Sequence, residues 1–338
     1  MVTIALGGDA MLGRMVGAAL EDRPPLSVWH PELLDVVHEA DLSIVNLECC
    51  ISRRGEPWPD PDKPFFFRAP PAAVESLLAA GVRAVWLANN HALDYGAQAL
   101  IDTFHHLQQA GIVWAGAGRD LTGARRGAVV EAGGERIGVV GFADHPPAFA
   151  AQPAQPGIAW VDPDVLADIG PPAWLLDEIA GLRAHCSVVV VGPHWGPNMR
   201  QEPLEHHPDV ARALIAAGAS IVAGHSAHVA QPVGLIDGAP VCFDLGDLLD
   251  DYAIDARLRN DLGLLALFTP GVRLELVPLH LAYTRTELAT GEDRAWLVER
   301  VRRASQAHGA DLRDERGRLV LNLVRERRSG ARTDASPA

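Results

Sequence analysis

The chain has 338 residues, of which 48% are hydrophobic and 21% charged, so it can bury a substantial core and is neither unfolded nor fibrous in type. A formal net charge of -14 argues against a general affinity for nucleic acid or anionic lipid, because both need a basic surface. It leaves room for a local basic pocket.

In chain order, the start MVTIALGGDAML reads as a strand over 3–6 that runs directly to Asp9. It has no basic leader, cleavage site or apolar anchor, and no later segment is long and apolar enough to span a bilayer, so the expected location is cytoplasmic. Residues 31–40 read as a helix and 42–45 as a strand ending before Asn46 and Glu48. The segment 52–71 is rich in proline, charge and aromatics, and reads as a long ordered loop whose Phe65, Phe66 and Phe67 pack down on something. A helix over 72–80, stopped at Gly81, leads into a strand over 84–88 that ends before Asn89, Asn90 and His91.

Next come a helix over 96–110 and strands over 113–115, 128–132 and 137–140, the last two joined as a hairpin by Gly133 and Gly134. The segment 146–172 reads as an excursion over the surface, in the manner of a lid. A helix over 174–184 precedes the strand 188–191 before His194, and a helix over 208–217 precedes the strand 220–223 before His225 and His228. The strand 241–243 ends before Asp244, a hairpin spans 263–268 and 272–277, and a charged amphipathic helix covers 293–308. The organisation expected is one main domain over 1–285, a helical extension over 286–325 packed on it, and a polar, disordered tail over 326–338. No internal repeat is present. Cys49, Cys50, Cys186 and Cys242 show no zinc spacing and no disulfide framework, so all four read as reduced thiols.

Six short apolar runs thus end in a residue able to bind a metal or carry a proton. Continuous runs separated by helices read as parallel strands buried on both faces, and such sheets gather ligands at their carboxyl ends. Asp9 and Glu48 offer anionic oxygens, Asn90 a carbonyl oxygen, and His194, His225 and His228 imidazole nitrogens. An oxygen and nitrogen set without thiolate suits Mn, Fe or Zn in a catalytic site. Six ligands suit two divalent ions about 3.5–4 Å apart that share a carboxylate, rather than one open ion. Taken singly, Asp9 reads as well as a helix cap, Asn89 and Asn90 as turn residues, and His194 as a satisfied polar group.

The segments GDAMLGR (8–14), NLE (46–48), ANNHALDYG (88–96), HWGPNM (194–199), GHSAHVAQP (224–232) and DLGDLLDDY (244–252) resemble, in order, the motifs of the CapA family of poly-γ-glutamate capsule biosynthesis. That family lies within the calcineurin-like metallophosphoesterases. The resemblance implies an α/β, metallophosphoesterase-like layered fold, with mostly parallel central β-sheets flanked by helices. It also implies one or two divalent transition-metal ions (Mn, Fe or Zn) held by Asp9, Glu48, Asn90, His194, His225 and His228, with Glu48 the preferred bridge. His91 is similar to the histidine that sits over the substrate in that superfamily. Met11 stands where the wider superfamily has a histidine, which leaves one ion short of a nitrogen ligand, and Ser226 and Ala227 interrupt a motif that often reads His-Pro-His.

The matching chemistry is metal-assisted hydrolysis of a phosphoester or of a γ-glutamyl-type amide, with His91 as general acid and Asp94 fixing its tautomer or capping the next helix. Arg14, Arg68, Asn198, Arg200 and Arg259 are candidate contacts for a phosphate or carboxylate, each arginine reading equally well as a structural ion pair. Asp247, Asp250 and Asp251 form an acidic cluster able to bind a cation or an amine, or simply to solvate a loop. The partner expected is a small anionic substrate, with no nucleic acid and no intrinsic membrane anchor. The alternative class is a non-catalytic ligand-binding or assembly protein that meets polymer-synthesis partner proteins.

Overall fold

The computed structural model describes residues 1–324 of the chain. The expected disordered tail over 326–338 lies outside the described residues. In chain order the main elements are β1 (Ile4–Ala10), α1 (Arg14–Asp22), α2 (Pro31–Val37), β2 (Leu42–Leu47), α3 (Ala73–Ala79), β3 (Val82–Trp86), α4 (Gly96–Gln109) and β4 (Val113–Ala115). They are followed by β5 (Ala128–Ala132), β6 (Glu135–Ala143), α5 (Ala173–Arg183), β7 (Val188–His194), α6 (His207–Ala217), β8 (Ile221–Ala223), β9 (Val233–Ile236) and β10 (Ala239–Cys242). The chain closes with β11 (Asp247–Leu249), β12 (Leu262–Thr269), β13 (Arg273–Leu281), α7 (Gly291–Gln306) and β14 (Arg318–Asn322).

Two sheets result, each parallel at its centre. In the first, β1, β2, β3 and β4 run parallel in that order, and the antiparallel strands β12, β13 and β14 extend the other side of β1. In the second, β6, β7, β8 and β10 run parallel, edged by the antiparallel strands β5 and β9.

Side-chain alternation along the strands sets the layering. Ile4 and Leu6 of β1 share one apolar cluster with Val188 and Val190 of β7, which places that cluster between the two sheets. Ala5 instead joins Leu20, Leu33, Leu77 and Leu100 of helices α1 to α4. Val189 and Val191 join Ile179 of α5 and Leu214 of α6. The order is therefore helices, sheet, sheet, helices. Strands covered on both faces need apolar residues at consecutive positions, which is why the sequence shows runs rather than alternation. Each fully buried Val, Leu or Ile contributes about 1.5–3 kcal/mol.

Two glycines set the spacing. A side chain on Gly8 would meet the Gly246 carbonyl oxygen at 1.8 Å, and the β1 to β2 register shifts between Gly7 and Asp9 at this point. That irregularity brings the chain around β1 close to the loop before β11. Gly192 in β7 leaves room for the indole of Trp86, to which an added Cβ would lie 2.2 Å away.

Several expectations shift at their edges. The helix expected over 31–40 ends at Val37, with His38 as its cap. The long loop 52–71 is stapled at its base by short parallel strands, Cys50–Ile51 with Arg68–Ala69. The excursion 146–172 is not bare loop, since it contains the strand Gly157–Ile158, paired with Ala117–Gly118, and the helix Pro163–Asp168. Helix α1 has no counterpart in the sequence reading. The carboxy-terminal segment adds strands as well as a helix: α7 buries Leu297, Val298 and Val301 in the inter-sheet cluster, while β14 pairs with β13.

All four cysteines are free and buried, and burial pushes the thiols of Cys50 and Cys242 up to about 12, as inert protonated groups. Among the described residues no helix is long and apolar enough to cross a membrane.

Candidate metal centre

The carboxyl ends of the parallel strands of both sheets meet at one seam. Asp9 lies near the end of β1, Glu48 just after β2, Asn90 and His91 after β3, His194 at the end of β7, and His225 and His228 after β8. The loop carrying the last two is held by Asp244, whose carboxylate accepts from the Ala227 and Gly246 amides, each at 2.7 Å. Ser226 and His228 adopt φ of 116° and 56°, conformations that side-chain-bearing residues rarely take and that cluster at functional sites. With Ser226 and Ala227 in place of His-Pro, His225 and His228 still both reach the centre.

Asp9 links the two sheets. Its Oδ1 accepts from Asn46 Nδ2 at 2.6 Å and its Oδ2 from the Ser226 amide at 3.1 Å. The same carboxylate faces His225 Nδ1 at 3.6 Å, His194 Nδ1 at 3.9 Å and His228 Nδ1 at 3.4 Å. Two donor groups form around it, Asp9 with His194 and His225, and Asp9 with Glu48, His228 and Asp247, the ligand atoms of each lying within 4.8 Å of one another. Asn90 Oδ1 lies 2.9 Å from His194 Nε2 and so borders the first group. Asp9, rather than the expected Glu48, is the residue common to both.

The electrostatics of the cluster fit a divalent cation. Burial raises the Asp9 carboxyl against the opposing pull of His228 and Asn46. Burial, and then the neighbouring carboxylates, push Glu48 and Asp247 well up. Burial and the facing imidazoles push His194 well down, and His225 falls to about 3, leaving neutral rings. At His228 burial pulls down, but the carboxylates of Glu48 and Asp9 outweigh it and the ring is raised.

Glu48 Oε1 and Asp247 Oδ2 are buried without a hydrogen-bond partner among the described residues. Unpaired buried carboxylate oxygens are costly, and a divalent ion would satisfy them. The first group, two imidazoles and a carboxylate, suits a borderline ion; the second, three carboxylates and one imidazole, suits a harder one. Met11 is fully buried in the core and accepts from the Gly13 amide through its sulfur, so it offers this centre nothing. Asp247, read from the sequence only as part of an acidic cluster, joins the second group because its carboxylate lies within reach of Asp9, Glu48 and His228.

A cavity of about 290 Å3 opens beside the centre, lined in part by Arg14, Phe67, His91, Asn198, His228 and Tyr252. His91 Nδ1 lies 2.6 Å from Asp94 Oδ2, which also accepts from the Phe67 amide at 2.6 Å, and Phe67 stacks on the imidazole at 3.9 Å. This is where the aromatic loop packs down. Lys63, unremarked in the sequence, holds Asp94 Oδ1 at 3.0 Å and donates to the Asn90 carbonyl at 2.9 Å. Burial pushes His91 down to about 4 despite Asp94, so the ring is neutral. With Nδ1–H donated to Asp94, the Nε2 lone pair has no partner among the described residues. Asn89 is scaffolding, donating to Asn46 Oδ1 at 3.0 Å and the Leu47 carbonyl at 2.9 Å.

The other expected substrate contacts divide. Arg14 lines the cavity, pairs through Nε with Asp251 at 3.2 Å and lies near the Phe65, Phe67 and Tyr252 rings. Asn198 also lines it. Arg200 is exposed and donates to the Glu202 carbonyl, and Arg259 is engaged by Asp261 and Asp293 at 2.8 and 2.7 Å; neither lines the cavity. Arg68 borders a neighbouring cavity instead.

The sequence reading missed one further pair. After β6, Asp144 hydrogen-bonds His145, whose ring centroid lies 5.2 Å from that of His194. The strand-end rule covered this position too, but the strand was expected to stop at 140, three residues short of where it ends.

Residues 3–252 match the family described as bacterial capsule synthesis protein PGA_cap. A Mycobacterium tuberculosis protein named as a probable polyglutamine synthesis accessory protein is 33% identical, over 91% of this chain and 92% of its own length. The PGA biosynthesis protein CapA of Bacillus subtilis is 28% identical, over 72% of this chain and 62% of its own length. The capsule biosynthesis protein CapA of Bacillus anthracis is 27% identical, over 83% and 67%. With its motifs, its strand-end donor groups and these relatives, the chain belongs to the CapA family of bacterial capsule synthesis proteins.

Proposed function

We propose that this chain is a metal-dependent hydrolase acting on a small anionic substrate, either a phosphoester or a γ-glutamyl-type amide. The observation that carries the reading is the pair of buried donor groups sharing Asp9, with a cavity beside them that presents His91, His228 and Arg14 together. A divalent ion bound there supplies Lewis-acid polarisation of a phosphoryl or carbonyl oxygen and activation of water. Asp9, Glu48, Asp247, His194, His225 and His228, with Asn90 at the edge, would hold one or two such ions of the Mn, Fe or Zn kind.

The chain's own residues supply the rest. Asp94 fixes the His91 tautomer, and Lys63 and the Phe67 amide fix Asp94. A ring presenting the Nε2 lone pair accepts a hydrogen bond from the reacting group first, and returns a proton to the leaving group only after taking one up. Arg14 places a cation at the cavity wall for the charge of the substrate, with Asn198 as a neutral partner. Phe65, Phe67 and Tyr252 make an apolar rim that limits water around the reacting bond.

The test is metal analysis of the purified protein, joined to hydrolysis assays of the wild type, Asn90→Ala and His91→Ala. Metal retained with turnover lost in His91→Ala supports the reading. No bound metal, together with no loss of activity in either variant, ends it. A second reading, a ligand-binding or assembly protein working with polymer-synthesis partners, draws on the word accessory in the name of the M. tuberculosis relative. Bound metal and substrate affinity without turnover would favour it.

A further inference from the structure

Arg14 stands between two cavities. One is the cavity beside the metal centre; the other, of about 310 Å3, is lined by Arg14, Glu21, Ser52, Arg53 and Arg68 together with the chain at Gly17 and Pro70. The chain as a whole carries 29 Lys and Arg against 43 Asp and Glu, yet this wall brings three guanidinium groups together with one carboxylate. The local sign is opposite to that of the molecule.

The three arginines are differently restrained. Arg53 pairs with Glu21 at 2.8 Å and is exposed. Arg14 uses Nε for Asp251, which leaves its terminal nitrogens available between the cavities. Arg68 is held by main chain and aromatic surface rather than by a carboxylate: Nη1 donates to the Gly55 and Arg54 carbonyls at 3.2 and 3.4 Å, and the guanidinium lies 4.0 Å from the Tyr95 ring centroid. A guanidinium fixed in this way keeps its charge and loses little freedom when an anion arrives. Its main chain is fixed as well, because Arg68 pairs with Cys50 and its amide packs where a side chain on Gly13 would stand, 2.9 Å away.

We propose that the second cavity is an anion subsite for the distal charge of an elongated substrate. The substrate class is then a molecule with at least two carboxylate or phosphate groups, one end at the metal centre and another beyond Arg14 between Arg53 and Arg68. The assignment of the reacting end rests on the hydrolase reading above. The subsite itself does not need turnover. An acidic protein would repel a polyanion over most of its surface, so a short basic path next to the centre selects where such a chain can lie.

The experiment is calorimetric titration of the Mn-loaded full chain with two pairs of probes. One pair is a γ-linked glutamate pentamer against N-acetylglutamine, which has one carboxylate, the other an alkyl-linked bisphosphate against the matching monophosphate. The expected result is that the member of at least one pair with two or more anionic groups binds roughly tenfold or more tightly than the member with one, since the second contact becomes intramolecular. Which pair shows the difference tells carboxylate from phosphate.

The advantage should shrink at about 0.5 M salt, where screening extends to a few ångströms. It should disappear in Arg53→Ala combined with Arg68→Ala. Should that variant not fold, Arg53→Glu, a change at an exposed side chain, reads the same loss. Equal binding within both pairs, or an advantage that survives the arginine changes, overturns the subsite. Absence of hydrolysis with the charge preference intact overturns the proposed reaction instead.

Discussion

The Nδ1 atoms of His194 and His225 lie 2.8 Å apart, and both rings also face Asp9 Oδ1. At that separation the two nitrogens have room for one proton between them, and burial keeps both rings from charging. A cation is the natural partner for two neutral imidazoles and a carboxylate.

Adding Mn or Zn to metal-stripped protein should therefore stabilise the fold. At a hundredfold excess over the dissociation constant the gain is about 2.7 kcal/mol, or roughly 5 °C in melting temperature for a chain of this size. Asp9→Ala should abolish the shift, because Asp9 belongs to both donor groups, whereas Asp247→Ala and His225→Ala should each remove only part of it. Differential scanning calorimetry with bound-metal analysis reads this. An unchanged shift in Asp9→Ala would contradict the shared-ligand geometry.

Hydrolysis should depend on the pair of Asp94 and His91 without metal content following it. His91→Ala is expected to lower kcat by about 10²–10⁴-fold. Asp94→Asn, which keeps the shape but loses the charge that orients the ring, is expected to cost about 10–100-fold, by analogy with partners that orient ligand histidines. Steady-state kinetics beside metal analysis separates the two effects. Equal loss of metal and of turnover in His91→Ala would move His91 from proton transfer to ligand support.

Acid stability should carry the mark of His207. Its ring stacks on Trp195 at 4.1 Å with neither nitrogen hydrogen-bonded among the described residues, and burial pushes it down to about 3 from an ordinary 6.5. The unfolded chain binds this proton first, so the contribution is complete above pH 6.5 and is lost as pH falls from there toward 3. Each pH unit in that window costs about 1.4 kcal/mol. His207→Phe keeps the stack and should flatten the fall in urea-unfolding free energy between pH 6 and 4 by about that slope. An unaltered slope would mean that the ring is hydrated or paired in solution.

The fit of Trp86 against Gly192 should be unforgiving. Gly192→Ala would push a methyl into the indole, whose Nε1 donates to the Val140 carbonyl at 3.0 Å and whose ring lies 5.5 Å from that of His225. The expected destabilisation is about 1–3 kcal/mol, with weaker metal binding because His225 is displaced. Urea denaturation and metal titration of the same variant check both halves. Loss of stability with unchanged metal affinity would uncouple the inter-sheet core from the site.

The order of apolar runs and the residues that end them was legible in the sequence, because a strand buried on both faces must be apolar at every position and must stop where polar groups are needed. Asp9, Glu48, Asn90, His194, His225 and His228 were found on that rule, and the structure brings all six to one seam. Arg259 and Arg200 were named with Arg14 by residue type alone, and type cannot tell an arginine held by Asp261 and Asp293 from one that faces a cavity.

The sequence by itself determined the parallel strands, the strand-end donors and the family. Only the tertiary structure decided which donors lie close enough together to share an ion. Asp9 rather than Glu48 stands between the groups, and Asp247 joins Asp9, Glu48 and His228 because β11 lies parallel beside β1. That juxtaposition joins residues more than two hundred positions apart, and no local pattern encodes it. Likewise His145 and the arginine-lined cavity arise where separate loops meet at the seam and beside it. Chain order fixes which side chains are available, whereas the packing of two sheets fixes which of them come within a few ångströms of one another.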